Sequence, residues 1–313
     1  MTIQAHLQEF AGKPVVDWDA ESGIQDPQET LPRISLDYDE YEQDKSWLDK
    51  FAIFLEDPNA AQMTGLVVGS WDFESSEDSS GIVEALVVAR DRLPNLTAIF
   101  LGDILSEENE ISWIRQSDVS PLFDAYPALE YFGVRGGEGL SLGALRHDRL
   151  RSLIIQTGGL DGAIVRAVAG AHLPHLEHLE LWLGTEDYGG SVTVEDLQPI
   201  LAGDVFPKLH YLGLRDSQIA DEVAQALATA PIVERIRVLD LSMGALGDDG
   251  AHALMENPAV AKLEKLDIHY HFCSDEIIEK LRSSLPGVEV DASDPQKPHE
   301  WNGHSDRYVA VSE

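Results

Sequence analysis

Histidines are the first residues in this chain whose type and spacing could do chemistry. His172, His175 and His178 recur at steps of three, and His269 and His271 stand two residues apart. Two imidazoles on one strand face can begin a metal site, with Asp267 or Asp240 as a third ligand. The first trio does not converge, because His172 ends a predicted helix, His175 falls in the following turn and His178 lies on the next strand. For the second pair, ordinary imidazoles on an exposed binding face are the simpler reading. No metal and no cofactor is expected.

The other chemical signatures are weaker still. Gly136-Gly137-Glu138-Gly139 with Gly143 follows a predicted strand, but its spacing is neither a phosphate-binding loop nor a dinucleotide fingerprint, and it carries no Lys. It is expected to be a flexible loop. No nucleophile elbow or zinc-protease helix is present, and scattered Ser, His and acidic residues do not define a triad. The single cysteine, Cys273, excludes an intramolecular disulfide and a thiolate cage. The sequence does not read as an enzyme.

What the chain does show is repetition. Leu93-Pro-Asn-Leu96-Thr-Ala-Ile99-Phe-Leu101 returns as Leu173-Pro-His-Leu176-Glu-His-Leu179-Glu-Leu181 and as Phe206-Pro-Lys-Leu209-His-Tyr-Leu212-Gly-Leu214. The underlying three-point pattern occurs ten times, from Leu31/Ile34/Leu36 to a degenerate Leu285/Val288/Val290. Its last two points have period two and predict a short strand. Between copies the spacing becomes helical, as at Ile82, Leu86, Ala89 and Leu93, and Pro94, Pro127, Pro174, Pro207 and Pro286 stop the helices. Ser274 and Asp275 are suited to cap the helix carrying Ile277. A strand–loop–helix–turn unit cannot bury its own apolar face, so neighbours must stack.

On these residues the chain resembles leucine-rich-repeat proteins over roughly residues 31–291. Leu246-Gly-Asp-Asp-Gly-Ala-His-Ala-Leu254 resembles the helix-containing, ribonuclease-inhibitor-like subclass. The resemblance implies an α/β leucine-rich-repeat horseshoe, a right-handed βα solenoid with parallel strands on the concave face and helices on the convex face. The chain departs from the pattern in lacking a regular Asn or Cys after the strand; Ser217 fits that slot, whereas Gly158 and Gly184 follow other strands. His6-Leu-Gln-Glu-Phe-Ala-Gly-Lys-Pro-Val-Val-Asp-Trp18 also resembles the start of a bacterial leucine-rich-repeat family. Genes of that family lie near radical-chemistry and ATP-grasp enzymes, which implies substrate recognition in a peptide-modification pathway.

The expected organisation is an N-terminal cap over 1–30, a solenoid of ten units over 31–291 and a C-terminal loop and capping strand over 292–313, with the strand at 307–311. No signal-like or membrane-length apolar run is evident, so a cytoplasmic protein is expected. The net charge of −34 argues against nucleic-acid and anionic-membrane partners and is compatible with basic ones. Residues 1–80 hold 18 Asp/Glu against 4 Lys/Arg, and the runs 37–44 and 72–78 are expected to form loops on one acidic rim.

Strand positions between the apolar points should face the concave side. They place Tyr131, Arg135, His178, Trp182, Tyr211 and Arg215 on one wall, flanked by Glu180, Asp240, Asp267 and His269. Aromatic and Arg residues of this kind anchor interfaces. The expected function is a non-catalytic protein- or peptide-binding scaffold centred on Trp182. An acidic inhibitor of a basic enzyme and the peptide-modification role above are its alternatives.

Overall fold

The computed structural model describes residues 3–301 and 304–313. The chain divides into two compact units, one running to Ile155 and the other spanning Gln156–Ser312. Each of the ten copies of the apolar pattern overlaps a strand, the first and the last each two residues out of register (Ile34 beside Val68, Val290 beside Leu266), and the architecture is the expected α/β leucine-rich-repeat solenoid.

In the N-terminal unit, β1 (Glu9–Phe10) and β2 (Lys13–Asp17) form an antiparallel hairpin that turns on Ala11 and Gly12, both at positive φ. From β2 the pairing is parallel through β3 (Leu31–Ile34), β4 (Gly65–Val68), β5 (Ala98–Leu101) and β6 (Tyr131–Arg135). Strand β7 (Ser152–Gln156) closes the unit. The helices are α1 (Tyr38–Glu42), α2 (Trp47–Leu55), α3 (Ser80–Val88) and α4 (Ser120–Ala125). Ile34, Leu66, Ile99, Phe132 and Leu153 are fully buried on the ladder face.

Two acidic runs differ from the expected rim loops. Asp37 caps α1 in a capping box with Glu40, so the first run is helical. Asp72 is buried and accepts hydrogen bonds from the Glu74, Ser76 and Glu77 amides and the Ser76 hydroxyl. Its charge organises its own loop instead of facing a partner. The glycine-rich segment after β6 is not a free loop either, because Glu138 and Ser141 form parallel bridges to Arg115 and Asp118. The crossover between β6 and β7 is closed without a helix.

The C-terminal unit stacks β8 (His178–Gly184), β9 (Tyr211–Ser217), β10 (Val238–Asp240), β11 (Lys265–Asp267) and β12 (Glu289–Asp291), all parallel. Its helices are α5 (Gly162–Ala169), α6 (Val194–Leu201), α7 (Ala220–Leu227), α8 (Asp248–Glu256) and α9 (Asp275–Ser284), the last capped by Ser274 as expected. Asp216 near the end of β9, Met243 past β10 and Tyr270 past β11 all have positive φ. Each amide bonds to the next repeat: Asp216 to Ser242 O, Met243 to His269 O and Tyr270 to Ser293 O. A left-handed residue thus turns the chain while the stacking hydrogen bonds continue.

Past the antiparallel pair β13 (His299–Trp301) and β14 (His304–Asp306), residues 307–311 are not the expected strand. Val309, Ala310 and Val311 are all buried, so their alternation carried no information about a sheet edge. The segment is held by Ala310 N–H to Met243 O and by Val311 N–H to Asp216 Oδ1, 2.8 Å each.

Asp216 is wholly buried, and its Oδ2 has no partner. Burial pushes its carboxyl well above the usual range, against the opposing Val311 amide. The folded protein therefore holds a proton that the unfolded chain releases near pH 4, and stability is lost as pH rises from there toward the folded value. Asp216→Asn keeps the acceptor for Val311 and tolerates positive φ. It is expected to raise the melting temperature at pH 8, with the gain shrinking as the pH falls toward about 4.

Candidate functional site

Each unit carries a strand face opposite its leucine ladder. In the C-terminal unit, parallel register places Glu180, Gly213, Asp240, Asp267 and Asp291 in one lateral row. Adjacent strands lie about 4.8 Å apart, so these carboxylates repel unless cations stand among them. Arg215 is the main one. Its Nη1 lies 3.2 Å from Glu180 Oε1 and its Nε 3.3 Å from Asp240 Oδ2, while Nε also donates to Ser242 Oγ. The guanidinium covers the Trp182 ring, and the indole N–H donates to Glu180 Oε1 at 2.7 Å.

Tyr211 crosses the gap left by Gly213 and donates to Asp240 Oδ2 at 2.7 Å. A Cβ on Gly213 would stand 3.1 Å from the Tyr211 ring, so the missing side chain makes room for the phenol. His178 stacks on Tyr211 with centroids 3.8 Å apart and planes 8° from parallel. Both rings remain half-buried and reachable from solvent. The His178 Nε2 has no hydrogen-bond partner and lies 3.8 Å from Glu180 Oε2.

The charges behave as this packing requires. Burial works to raise the Glu180 carboxyl, but the His178 ring, Arg215 and the Trp182 indole outweigh it and bring it down to about 2. Burial, Glu180 and Asp240 together push the Tyr211 phenol far up, so it stays a donor. At the end of the row, Asp267 receives His269 Nδ1 at 2.7 Å and Lys265 Nζ at 2.9 Å. That contact raises the imidazole above its ordinary value.

The expected site residues therefore divide. His178, Tyr211, Arg215 and His269 are accessible on one wall with Glu180, Asp240 and Asp267 beneath them. Trp182 is not the solvent-facing anchor that its strand position suggests: it is 7% exposed, under Arg215. Truncating it would disturb Glu180 and Arg215, so it cannot report on binding alone. The His269–His271 pair also fails to form, since the turn at Tyr270 sends His271 into the interior, against Ala292 O and the Cys273 amide. Asp267, His269 and Asp291 do gather with ligand atoms within 4.8 Å, but Lys265 already supplies a cation between the two carboxylates.

Tyr131 and Arg135 belong to the N-terminal unit, where the strand face is covered. Residues 3–11 lie across it, and Phe10 and Leu7 pack with Leu31, Val67, Ala98, Phe100 and Tyr131. Phe10 meets Phe100 edge-on at 5.4 Å. Arg135 is buried and spends its charge on Asp103 (3.2 Å) and its remaining reach on Ile104 O (2.8 Å). It is not a free carboxylate clamp.

Asp103, which pattern reading passed over because it lies beyond the strand, organises this face. It is wholly buried and also takes Arg33 Nη1 at 2.8 Å and the Leu7 amide. Burial opposes its ionisation, but His6, Arg135 and Arg33 hold it below the usual carboxylate range.

A cleft of about 500 Å³ lies among the loops after β8 and β9. Its hydroxyls are committed locally, Ser191 to Asp161, Thr193 to Asp196 and Thr185 to the Asp187 amide. Among the described residues no helix is long and apolar enough to cross a membrane.

The chain is similar to a solved protein from Bacteroides fragilis, with 33% identity, a TM-score of 0.81, and coverage of 90% of this chain and 77% of that one. An internalin from Listeria monocytogenes aligns at 18% identity and a TM-score of 0.40, covering 76% of this chain and 57% of that one. No family model and no curated protein sequence matches the chain.

Proposed function

We propose a non-catalytic protein- or peptide-binding role for this chain, which belongs to the same family as the Bacteroides fragilis protein. The observation that supports it is the accessible His178–Tyr211 stack, held rigid over a fully paired charge network. A flat, preordered aromatic platform loses little entropy when a partner docks on it. The carboxylates beneath are bonded to Arg, Trp and Tyr and serve no proton transfer. With four acids in the row against Arg215 and Lys265, and −34 on the whole chain, the platform favours basic segments. That preference fits both an acidic inhibitor of the ribonuclease-inhibitor-like kind and a substrate-recognition subunit acting on peptides in a bacterial leucine-rich-repeat family.

His178→Ala removes half of the stack without removing a hydrogen bond. It is expected to weaken binding of proteins retained from native extract by about tenfold while the variant still unfolds in one cooperative transition. Val88→Ala on α3, exposed and distant in sequence, should leave binding unchanged. Equal retention by both variants would sink this reading.

A further inference from the structure

Large apolar residues at solvent-directed strand positions need a cover. In the N-terminal unit Val67 and Phe100 hold two such positions, and Gly133 opposite leaves the space that the Phe100 ring fills. The cover is the chain's own N-terminal segment, and the way it is held is that of a bound peptide. Side chains of the face capture both backbone polar groups of a single residue: Asp103 accepts the Leu7 amide at 3.1 Å, and Arg33 donates to the Leu7 carbonyl at 3.4 Å. His6 Nδ1 meets the Asp103 carbonyl, and the Ser106 amide donates to Ile3 O. Phe10 then fills an apolar pocket three residues after Leu7. Residues 3–8 form no strand of their own, and the Ala11–Gly12 turn separates them from β2, which keeps its own pairing with β3. The segment ends in β1, a two-residue strand at the sheet edge, so its departure costs the β1–β2 hairpin and leaves the sheet from β2 onward paired.

We propose that the strand face of the N-terminal unit is a peptide-binding site occupied in cis by residues 3–11. Its partner in trans is an extended segment with an aliphatic residue followed three positions later by an aromatic one. Backbone capture by Asp103 and Arg33 supplies affinity independent of sequence, and the Phe10 pocket supplies the choice. The tethered copy competes at an effective concentration that only a tighter or multivalent ligand overcomes. This site is independent of the His178–Tyr211 platform, so either can fail alone.

The test uses the full chain with Leu7→Ser and Phe10→Ser, which unseat the segment and leave the face intact. The probe is a fluorescent peptide of residues 3–12, followed by anisotropy. Saturable binding to the variant, about tenfold or more tighter than to the wild type, and lost when the peptide's own Leu and Phe are replaced by Ser, is the expected result. A folded variant that ignores the peptide, or binds it no better than the wild type does, overturns the proposal. Amide exchange on the wild type serves if the variant does not fold. The Leu7 and Ser106 amides should then exchange about tenfold or more faster than those of β4 and β5; exchange of both sets in one global step overturns it equally.

Discussion

Replacing Asp103 by Ala is expected to destabilise the N-terminal unit by about 3–5 kcal/mol, measured as a lower urea midpoint. The size follows from what is left behind. Arg33 keeps Asp17 at 2.6 Å, but Arg135, 3% exposed, loses the carboxylate 3.2 Å from its Nη1. Taking the nearest carboxylate from a guanidinium at that depth costs more than the pair contributes, because its desolvation is less fully offset. The same change frees the Leu7 amide and loosens the covering segment. Pairing Asp103→Leu with Arg135→Met should recover most of the loss, since removing both charges removes the desolvation cost as well. Equal destabilisation by the single and double variants would show that the carboxylate matters for its shape or its amide contact rather than for its charge.

The repeat ladder made the strands legible because burial on the helix side imposes a strict spacing, and Leu181, Leu214 and Leu241 sit in the core where that spacing puts them. It also gave the correct direction of the other side chains: His178, Tyr211, Arg215 and Asp240 do share one face. Period two states only which way a side chain leaves the sheet. It says nothing of what lies above it. That is why Val67 and Phe100 look exposed in the sequence and are covered by residues from the far N-terminus. Trp182 is lost to the same cause on a smaller scale, since the long Arg215 side chain reaches across one strand spacing to lie on it. Asp103 had a readable signal after all: a carboxylate just past β5, on a face that offers Arg135 on the adjacent strand β6 and Arg33 two strands away on β3.

Arg215→Met should give a protein that gains more stability on mild acidification than the wild type does. In the native network Glu180 has its carboxyl lowered to about 2, against about 4.3 in an unfolded chain. A depressed value contributes stability that is complete above pH 4.3 or so and is lost as the pH falls toward 2. The wild type should therefore weaken steadily through that window. Without Arg215, Glu180 and Asp240 flank Gly213 as two buried carboxylates sharing the Tyr211 hydroxyl, with no guanidinium between them. Burial and the neighbouring carboxylate then work to raise the Glu180 value, and at pH 7 the variant is expected to be about 3–5 kcal/mol less stable. Lowering the pH from 7 then favours protonation of Glu180 and relieves the repulsion, so the variant should gain stability beyond the gain that Asp216 gives both proteins. Thermal melts of both proteins from pH 7.5 to 3 would show the two curves converging. Parallel curves would mean that Arg215 acts through its contact with Trp182 and not through its charge.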